Sequence, residues 1–298
     1  MTPYLTQGLH RAVQQFPQRT ATVFGERRHA FHALADRVAR LARILRAQGL
    51  QQGDRVAVLA QNSDRYVEAF LAVWWAGAAV NPVNTRWSVP EIVFSLQDCQ
   101  SSLLLVDEVY ASQAAAVAVQ VPCLRAVLYI GDGEAPAGML PAEVLIGRSE
   151  PLPDAVRQGN DLAAILYTGG TTGFPKGVML SHANLWSAAV ARLAELPNAA
   201  QSISLLTTPL FHVAGLGRLV SQIVIGATSV IEPVFRPDTV LEALERHGVN
   251  DVVLVPSMLP RGCAACSASC MALHPCPWPC CSGPWRPCRR SASSAPTA

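Results

Sequence analysis

The chain has 298 residues, of which half are hydrophobic and 15% are charged, and its formal net charge is +2. This length allows one or two domains with a sizeable buried core. The near-neutral balance excludes the strongly basic surface that nucleic-acid-binding domains usually carry, so we expect no nucleic-acid partner.

Short apolar runs that are typical of buried strands recur along the chain, and helical patterns lie between several of them. The predicted strands, in chain order, are residues 55–59, 103–106, 126–130, 162–167, 202–207, 228–231 and 251–255. The predicted helices are residues 31–47, 65–75 and 237–246. Strands that alternate with helices predict the α/β class, with layered, mostly parallel sheets and flanking helices.

The sequence shows no sign of a membrane-spanning or secretory segment. Residues 1–16 mix polar, charged and apolar side chains, unlike a signal peptide. The longest apolar run, residues 69–80, is too short for a transmembrane helix and predicts a buried helix. Only Cys99 and Cys123 occur in the first 260 residues, which favours a reducing cytoplasm.

One segment has the composition of a phosphate-binding loop. Among 23 basic residues the chain has a single lysine, Lys176, and it lies in the glycine- and threonine-rich segment 167–177. Lysine binds phosphate as a compact charge, glycines let the backbone approach a ligand, and consecutive N–H groups can form an anion-binding nest. The predicted nucleotide-binding residues are Thr168, Gly169, Gly170, Thr171, Thr172, Gly173 and Lys176.

The spacing in this segment differs from other phosphate-binding patterns. Lys176 follows Pro175 and precedes Gly177, whereas a Walker A loop needs Gly-Lys followed by Ser or Thr. The dinucleotide pattern Gly-x-Gly-x-x-Gly is also absent from it. The alternative interpretation is a glycine-rich surface turn with one solvated lysine.

Residues 167–178 resemble the signature loop of the AMP-forming acyl-adenylate enzymes, which include acyl-CoA synthetases and aryl-CoA ligases. Segments 53–59, 76–84, 181–185 and 209–215 are also similar to this family, so that about residues 9–259 resemble its first half. The resemblance implies that a small-molecule carboxylic acid attacks ATP to form an acyl-adenylate, and that coenzyme A then displaces AMP. It also implies that Mg²⁺ is shared between the phosphates and the protein. It says nothing of the oligomeric state.

The resemblance places His212, in segment 209–215, beside the acyl-substrate pocket. A structural histidine packed near a strand end is the alternative. Amino-acid-adenylating relatives tend to have an aspartate in this region, but residues 211–217 contain no acid. We therefore expect a fatty or aryl acid as the substrate.

Several features of the family are missing from these 298 residues. The sequence has no Tyr-Gly-x-Thr-Glu segment, no Thr-Gly-Asp segment and no second lysine for a C-terminal lid. We identify no catalytic residue. We expect residues 1–260 to form an incomplete AMP-binding domain, and two hypotheses follow: an acid–thiol ligase by ancestry whose present chain is inactive, or a non-catalytic nucleotide-binding remnant or pseudogene product.

The composition changes abruptly near residue 260. Residues 263–298 contain no Asp, Glu, Lys, Ile, Val, Phe, Tyr, Asn or Gln. Without branched aliphatic side chains a segment builds no core, so we expect residues 261–298 to be a disordered, Cys- and Pro-rich tail. We also expect that this tail is a coding sequence read in the wrong frame. Irregular spacing argues against the alternative of a zinc module, so we expect no metal site. That module would use Cys263, Cys266, Cys270, His274, Cys276 and Cys280.

Four further side chains receive structural interpretations. Trp74 and Trp75 lie in an apolar helical pattern and are predicted to belong to the core. Asp98 and Asp107 are predicted to be solvated.

Overall fold

A computed structural model describes residues 2–168, 175–194, 199–254 and 258. The predicted α/β class is confirmed. The described helices are α1 (Gln7–Gln15), α2 (Phe31–Ala47), α3 (Asp64–Trp75), α4 (Val89–Asp98), α5 (Ala111–Ala118), α6 (Ala142–Ile146), α7 (His182–Leu193), α8 (Val213–Ile225) and α9 (Pro237–His247). The described strands are β1 (Thr20–Phe24), β2 (Arg27–Ala30), β3 (Arg55–Leu59), β4 (Ala79–Pro82), β5 (Ser101–Val106), β6 (Ala126–Tyr129), β7 (Leu140–Pro141), β8 (Leu162–Thr168), β9 (Lys176–Ser181), β10 (Ile203–Leu206), β11 (Thr228–Ile231) and β12 (Asp251–Val252).

The described strands form two sheets. The larger has seven strands in the order β7-β6-β5-β3-β4-β8-β9, and the smaller has five in the order β12-β10-β11-β1-β2. All neighbouring strands are parallel except β8–β9 and β1–β2, which are antiparallel. The central strands β3 and β5 read as continuous apolar runs because helices cover both faces of a parallel sheet.

Helix α3 is the central helix of the core. All of its residues except Arg65 are buried, and it contacts α2 together with strands of both sheets. Trp74 and Trp75 belong to this core, as predicted. The indole of Trp74 donates a hydrogen bond to the carbonyl of Ala163 at 2.9 Å, which ties α3 to strand β8.

The prediction of one buried helix over residues 69–80 is wrong. Helix α3 ends at Trp75, and strand β4 begins at Ala79. Gly77 has a φ of +83°, a left-handed conformation that glycine adopts without strain. The run is apolar throughout because both the end of α3 and all of β4 are buried, so hydrophobicity did not mark the boundary.

None of the described helices has the length and apolar composition that crossing a bilayer requires. The predicted tail, residues 261–298, lies outside the described residues, and so do the cysteines of the zinc alternative. The division at residue 260 therefore stays a prediction.

Candidate nucleotide-binding site

The described ends of the predicted phosphate-binding segment are Thr168 and Lys176. Strand β8 lies between the parallel strand β4 and the antiparallel strand β9, and it is buried from Ala163 to Leu166. Thr168, its last residue, is exposed, and Lys176, the first residue of β9, is exposed as well. The two residues are therefore presented to solvent at the end of a strand that the core holds in place.

Thr168 and Lys176 are direct partners in the β8–β9 pair. The Thr168 hydroxyl donates a hydrogen bond to the Lys176 carbonyl at 3.5 Å. Within the part of the chain that the structure describes, the Lys176 ammonium forms no ion pair. The other predicted binding residues, Gly169, Gly170, Thr171, Thr172 and Gly173, lie outside the described residues.

Tyr167, one residue before Thr168, has contacts that the sequence did not predict. Its hydroxyl donates a hydrogen bond to the Asp98 carboxylate at 2.6 Å. Its ring meets the Trp87 ring edge-on, with 6.2 Å between the ring centroids. Burial and the neighbouring carboxylate raise the pKa of Tyr167 well above its ordinary value, so the phenol stays protonated and can donate. Asp98 is exposed as predicted, but it has this specific partner.

Gly177, one residue after Lys176, is the strand partner of Tyr167. A Cβ at Gly177 would lie 2.9 Å from Cγ2 of Ile165 and 3.1 Å from Cζ of Tyr167. Glycine at this position therefore leaves the space that the Tyr167 ring occupies, which is a packing reason for the Lys-Gly pair in the motif.

His212 lies at the start of helix α8. Its Nδ1 accepts a hydrogen bond from the backbone N–H of Ala214 at 3.3 Å, so the imidazole is the N-cap of this helix. The side chain is exposed. Among the described residues no hydrogen bond or ion pair joins His212 to Thr168 or Lys176, although α7, which follows β9, packs against α8. An exposed N-cap differs from the packed strand-end histidine of the alternative interpretation, and the pocket role of His212 stays a prediction.

Gly215 explains the tight turn before α8. A Cβ there would lie 2.2 Å from the carbonyl oxygen of Pro209. Asn62, which follows β3, holds the same turn from the other sheet: its Nδ2 donates to the Thr208 carbonyl at 3.0 Å, and its Oδ1 accepts from the Leu210 N–H at 2.8 Å. Asn62 is buried and was not predicted as a site residue, because a lone asparagine after a strand is ordinarily a turn residue.

His182, at the start of α7, has a structural role. Ser181 and Asn184 form a capping box around it. The imidazole is buried, and its Nδ1 accepts a hydrogen bond from the Leu5 N–H at 3.3 Å. Burial lowers the pKa of His182 to about 4. The neutral ring therefore ties the N-terminal segment to α7.

The prediction that Asp107 is solvated is wrong. Its side chain lies at the end of β5 with 8% relative exposure, and it accepts hydrogen bonds from the Gln61 N–H at 2.7 Å and the Tyr110 N–H at 3.2 Å. Burial raises the pKa of Asp107 to about 6 despite these bonds. No local pattern marked this burial, because an acid after an apolar strand also fits an exposed loop.

Two further features bear on ligands. A cavity of about 190 Å³ lies beside β11 and α9, with Glu232, Thr239 and Arg246 in its wall, and it contains none of the predicted site residues. Among the described residues no group of three or more His, Cys, Asp or Glu side chains could hold a metal ion.

Comparison with known proteins identifies the family of this chain. The family model described as AMP-binding enzyme matches residues 9–273. The chain is 37% identical over 249 residues to a feruloyl-CoA synthase of Amycolatopsis sp., a match that covers 83% of this chain and 48% of the relative. It is 32% identical to the chloroplastic/peroxisomal 2-succinylbenzoate–CoA ligase of Arabidopsis thaliana, over 86% of this chain and 47% of the relative.

Among solved structures, the chain is similar to ATP-bound MatB from Rhodopseudomonas palustris, with a TM-score of 0.75 and 27% identity. This match covers 87% of the chain and 50% of MatB. The chain thus spans about half the length of the curated relatives that it matches. The family match extends over most of the chain and includes both predicted site segments, and the chain belongs to the family of AMP-binding enzymes.

Proposed function

We propose that this chain binds the phosphates of ATP at Thr168 and Lys176, together with residues 169–173 of the same segment. The observation that carries the proposal is the position of Lys176, an exposed lysine without an ion pair in the described region, directly opposite Thr168 at the end of a buried strand. An ammonium that has no ion-pair partner in the described region is available for a charge-assisted hydrogen bond to a phosphate. The ATP-bound MatB structure supports this use of the fold.

The proposed reaction of the whole enzyme has two steps. A carboxylate oxygen forms a bond to the α-phosphorus of ATP, and the bond from that phosphorus to the bridging oxygen breaks, which releases pyrophosphate. The sulfur of coenzyme A then bonds to the acyl carbon, its proton is lost, and AMP leaves with the electron pair of the acyl–oxygen bond. Lys176 stabilises the negative charge on phosphate oxygens by electrostatic attraction. Mg²⁺, which the family resemblance implies, would be bound mainly by the ATP phosphates and would offset part of their negative charge.

We propose a fatty or aryl acid as the substrate. Residues 211–217 contain no acid that could pair with a substrate ammonium. The names of the two relatives refer to feruloyl and 2-succinylbenzoate groups, which lack an α-amino group. His212, exposed at the start of α8, is the proposed residue of this chain beside the acyl group.

We further propose that these 298 residues bind nucleotide without completing the reaction. They contain one lysine and lack the Tyr-Gly-x-Thr-Glu and Thr-Gly-Asp segments of the resembling family. We therefore propose that these residues by themselves bind nucleotide without catalysis, and that they descend from an acid–thiol ligase. The proposed division into residues 1–260 and a tail at 261–298 belongs to this view.

Two measurements on the purified chain test the proposal. Isothermal titration should detect binding of Mg·ATP and much weaker binding of adenosine, because Lys176 and Thr168 contact only the phosphates. Acid-dependent exchange of pyrophosphate into ATP should be absent. Equal affinity for ATP and adenosine would refute the phosphate site, and robust exchange would refute the claim of inactivity.

A further inference from the structure

Asp98 occupies a position that is unfavourable for an acid. It is the last residue of α4, where the helix dipole repels negative charge. The other acid of α4, Glu91, lies in the first turn, where the dipole attracts it, and completes a capping box with Ser88. Helix stability therefore accounts for an acid at position 91 and does not account for one at position 98. The Asp98 carboxylate instead accepts a hydrogen bond from the Tyr167 hydroxyl at 2.6 Å.

Strand β9 has little burial of its own near Lys176. Among the described strands it lies at the edge of its sheet, and residues 176–179 are all exposed, with Met179 at 68% relative exposure. An edge strand without buried side chains has few contacts that resist opening. The start of β9 is therefore fixed mainly by its pairing with the end of β8.

Tyr167 strengthens the β8–β9 pairing next to Lys176. Its ring lies in the space above Gly177, its direct partner, and an edge-on contact with Trp87 supports the ring. The hydroxyl bond to Asp98 joins this cross-strand contact to helix α4. Thr168 and Lys176 are the adjoining residues on the two strands.

We propose that Asp98 is a positioning residue for phosphate binding: it holds the Tyr167 hydroxyl and thereby fixes Thr168 and Lys176 opposite each other. This inference rests on the proposed function. Asp98 does not contact the nucleotide, and its effect passes through the Tyr167 ring and Gly177.

The single lysine provides a direct measurement of this anchoring. A lysine-specific protease has one cleavage site in the chain, the Lys176–Gly177 bond. Cleavage there requires local opening of β9, so its rate reports the population of the open form. Asp98→Ala and Tyr167→Phe should each raise the rate about tenfold, which corresponds to about 1.4 kcal/mol. The double variant should cleave no faster than either single variant, because both remove the same bond.

Two controls separate this role from general destabilisation. Tyr129→Phe removes a similar hydroxyl, which donates to the Asp132 carbonyl at 2.7 Å, and should leave cleavage at Lys176 unchanged. Asp98→Asn keeps an acceptor oxygen and should restore most of the protection. Equal cleavage rates in wild type and Asp98→Ala would overturn the proposal, and so would an equal acceleration by Tyr129→Phe.

Binding of Mg·ATP distinguishes this inference from the proposed function. Asp98→Ala should weaken the protection of Lys176 by ATP about tenfold, and Asp98→Asn should recover it. If wild type binds ATP and Asp98→Ala binds it equally well, Asp98 does not position the site. If ATP fails to protect wild type while Asp98→Ala still accelerates cleavage, the nucleotide function fails and the anchoring of Lys176 by Asp98 stands.

Discussion

Thr168 and Lys176 face each other across the antiparallel pair β8–β9, with the threonine hydroxyl donating to the lysine carbonyl at 3.5 Å. Thr168 ends a largely buried strand, and Lys176 begins a strand whose first four residues are exposed. The core therefore fixes one end of the candidate site, and the pairing of the two strands fixes the other.

Lys176→Ala should weaken ATP binding by about 1.5–3 kcal/mol, because a charge-assisted contact to phosphate is lost. Lys176→Arg should weaken it less, since the positive charge stays. Neither substitution should alter the unfolding free energy by more than about 0.5 kcal/mol, because the side chain is exposed. Titration calorimetry and urea unfolding give the two quantities, and unchanged ATP affinity in Lys176→Ala would contradict the assignment.

His212→Ala should change the preference between aryl and fatty acids and leave the affinity for ATP nearly constant. It should also destabilise the chain by about 0.5–1 kcal/mol, because the N-cap of α8 is lost. His212→Asn keeps a capping side chain and should separate the two effects. Competition binding of the two acid classes in the presence of ATP measures the preference, and a fall in ATP affinity with unchanged acid preference would show that the assignment is wrong.

Gly215→Ala should destabilise the chain by about 2 kcal/mol or more, because the new methyl group would lie 2.2 Å from the Pro209 carbonyl oxygen. Gly217→Ala, two residues further along α8, is the matched control. Apart from its chain neighbours and the helix's own backbone, no atom lies within 4 Å of a Cβ at Gly217, so alanine should stabilise the helix by about 0.5–1 kcal/mol. Equal effects of both substitutions on urea unfolding would argue against the described turn.

His182 should make stability rise with pH. Its folded pKa is about 4 against an ordinary value of 6.5, so between these values the unfolded chain binds more protons than the folded chain. The unfolding free energy should therefore increase by roughly 3 kcal/mol from pH 4 to pH 6.5. His182→Gln should remove this rise, and a variant with the same pH profile as wild type would contradict the buried neutral ring.

Asp107 should make the unfolding free energy fall as the pH rises, the opposite of His182. Its folded pKa is about 6 against an ordinary value of 3.8, so the folded chain binds more protons in this window and the contribution to stability falls as the pH rises. In Asp107→Asn the unfolding free energy should rise more steeply between pH 4 and pH 6 than in wild type. The same rise in Asp107→Asn as in wild type would show that Asp107 titrates as a solvated carboxyl group in the folded chain.

The elements that the sequence predicted best are those whose pattern is unambiguous. Strand β3 has its predicted bounds because it is a short apolar run that follows Gly53, and helix α2 because its apolar residues recur at helical spacing up to Gly49. The boundary between α3 and β4 was missed because both elements are buried on all sides, and only Gly77 marked it. Edge strand β9 was missed because its residues are exposed and lack an alternating pattern.

The candidate site also divides into residues that a local pattern predicts and residues that only the fold brings together. Lys176 and Thr168 could be predicted because their motif is contiguous in the sequence. Asp98 and Asn62 could not, since each meets its partner through the fold, 69 and 146 or more positions away in the chain. A carboxylate at a helix C-terminus was the one local sign of the contact to Tyr167.

The most direct measurement is the reactivity of the Lys176 amine, which is the only lysine amine in the chain. Acetylation with an amine-specific reagent can be followed at this residue by mass spectrometry, with adenosine as the control ligand. Saturating Mg·ATP should slow acetylation of Lys176 at least about tenfold, because a phosphate contact covers the ammonium, and adenosine should have no effect. Acetylation at the same rate with and without Mg·ATP would contradict the claim that Lys176 binds the nucleotide phosphates.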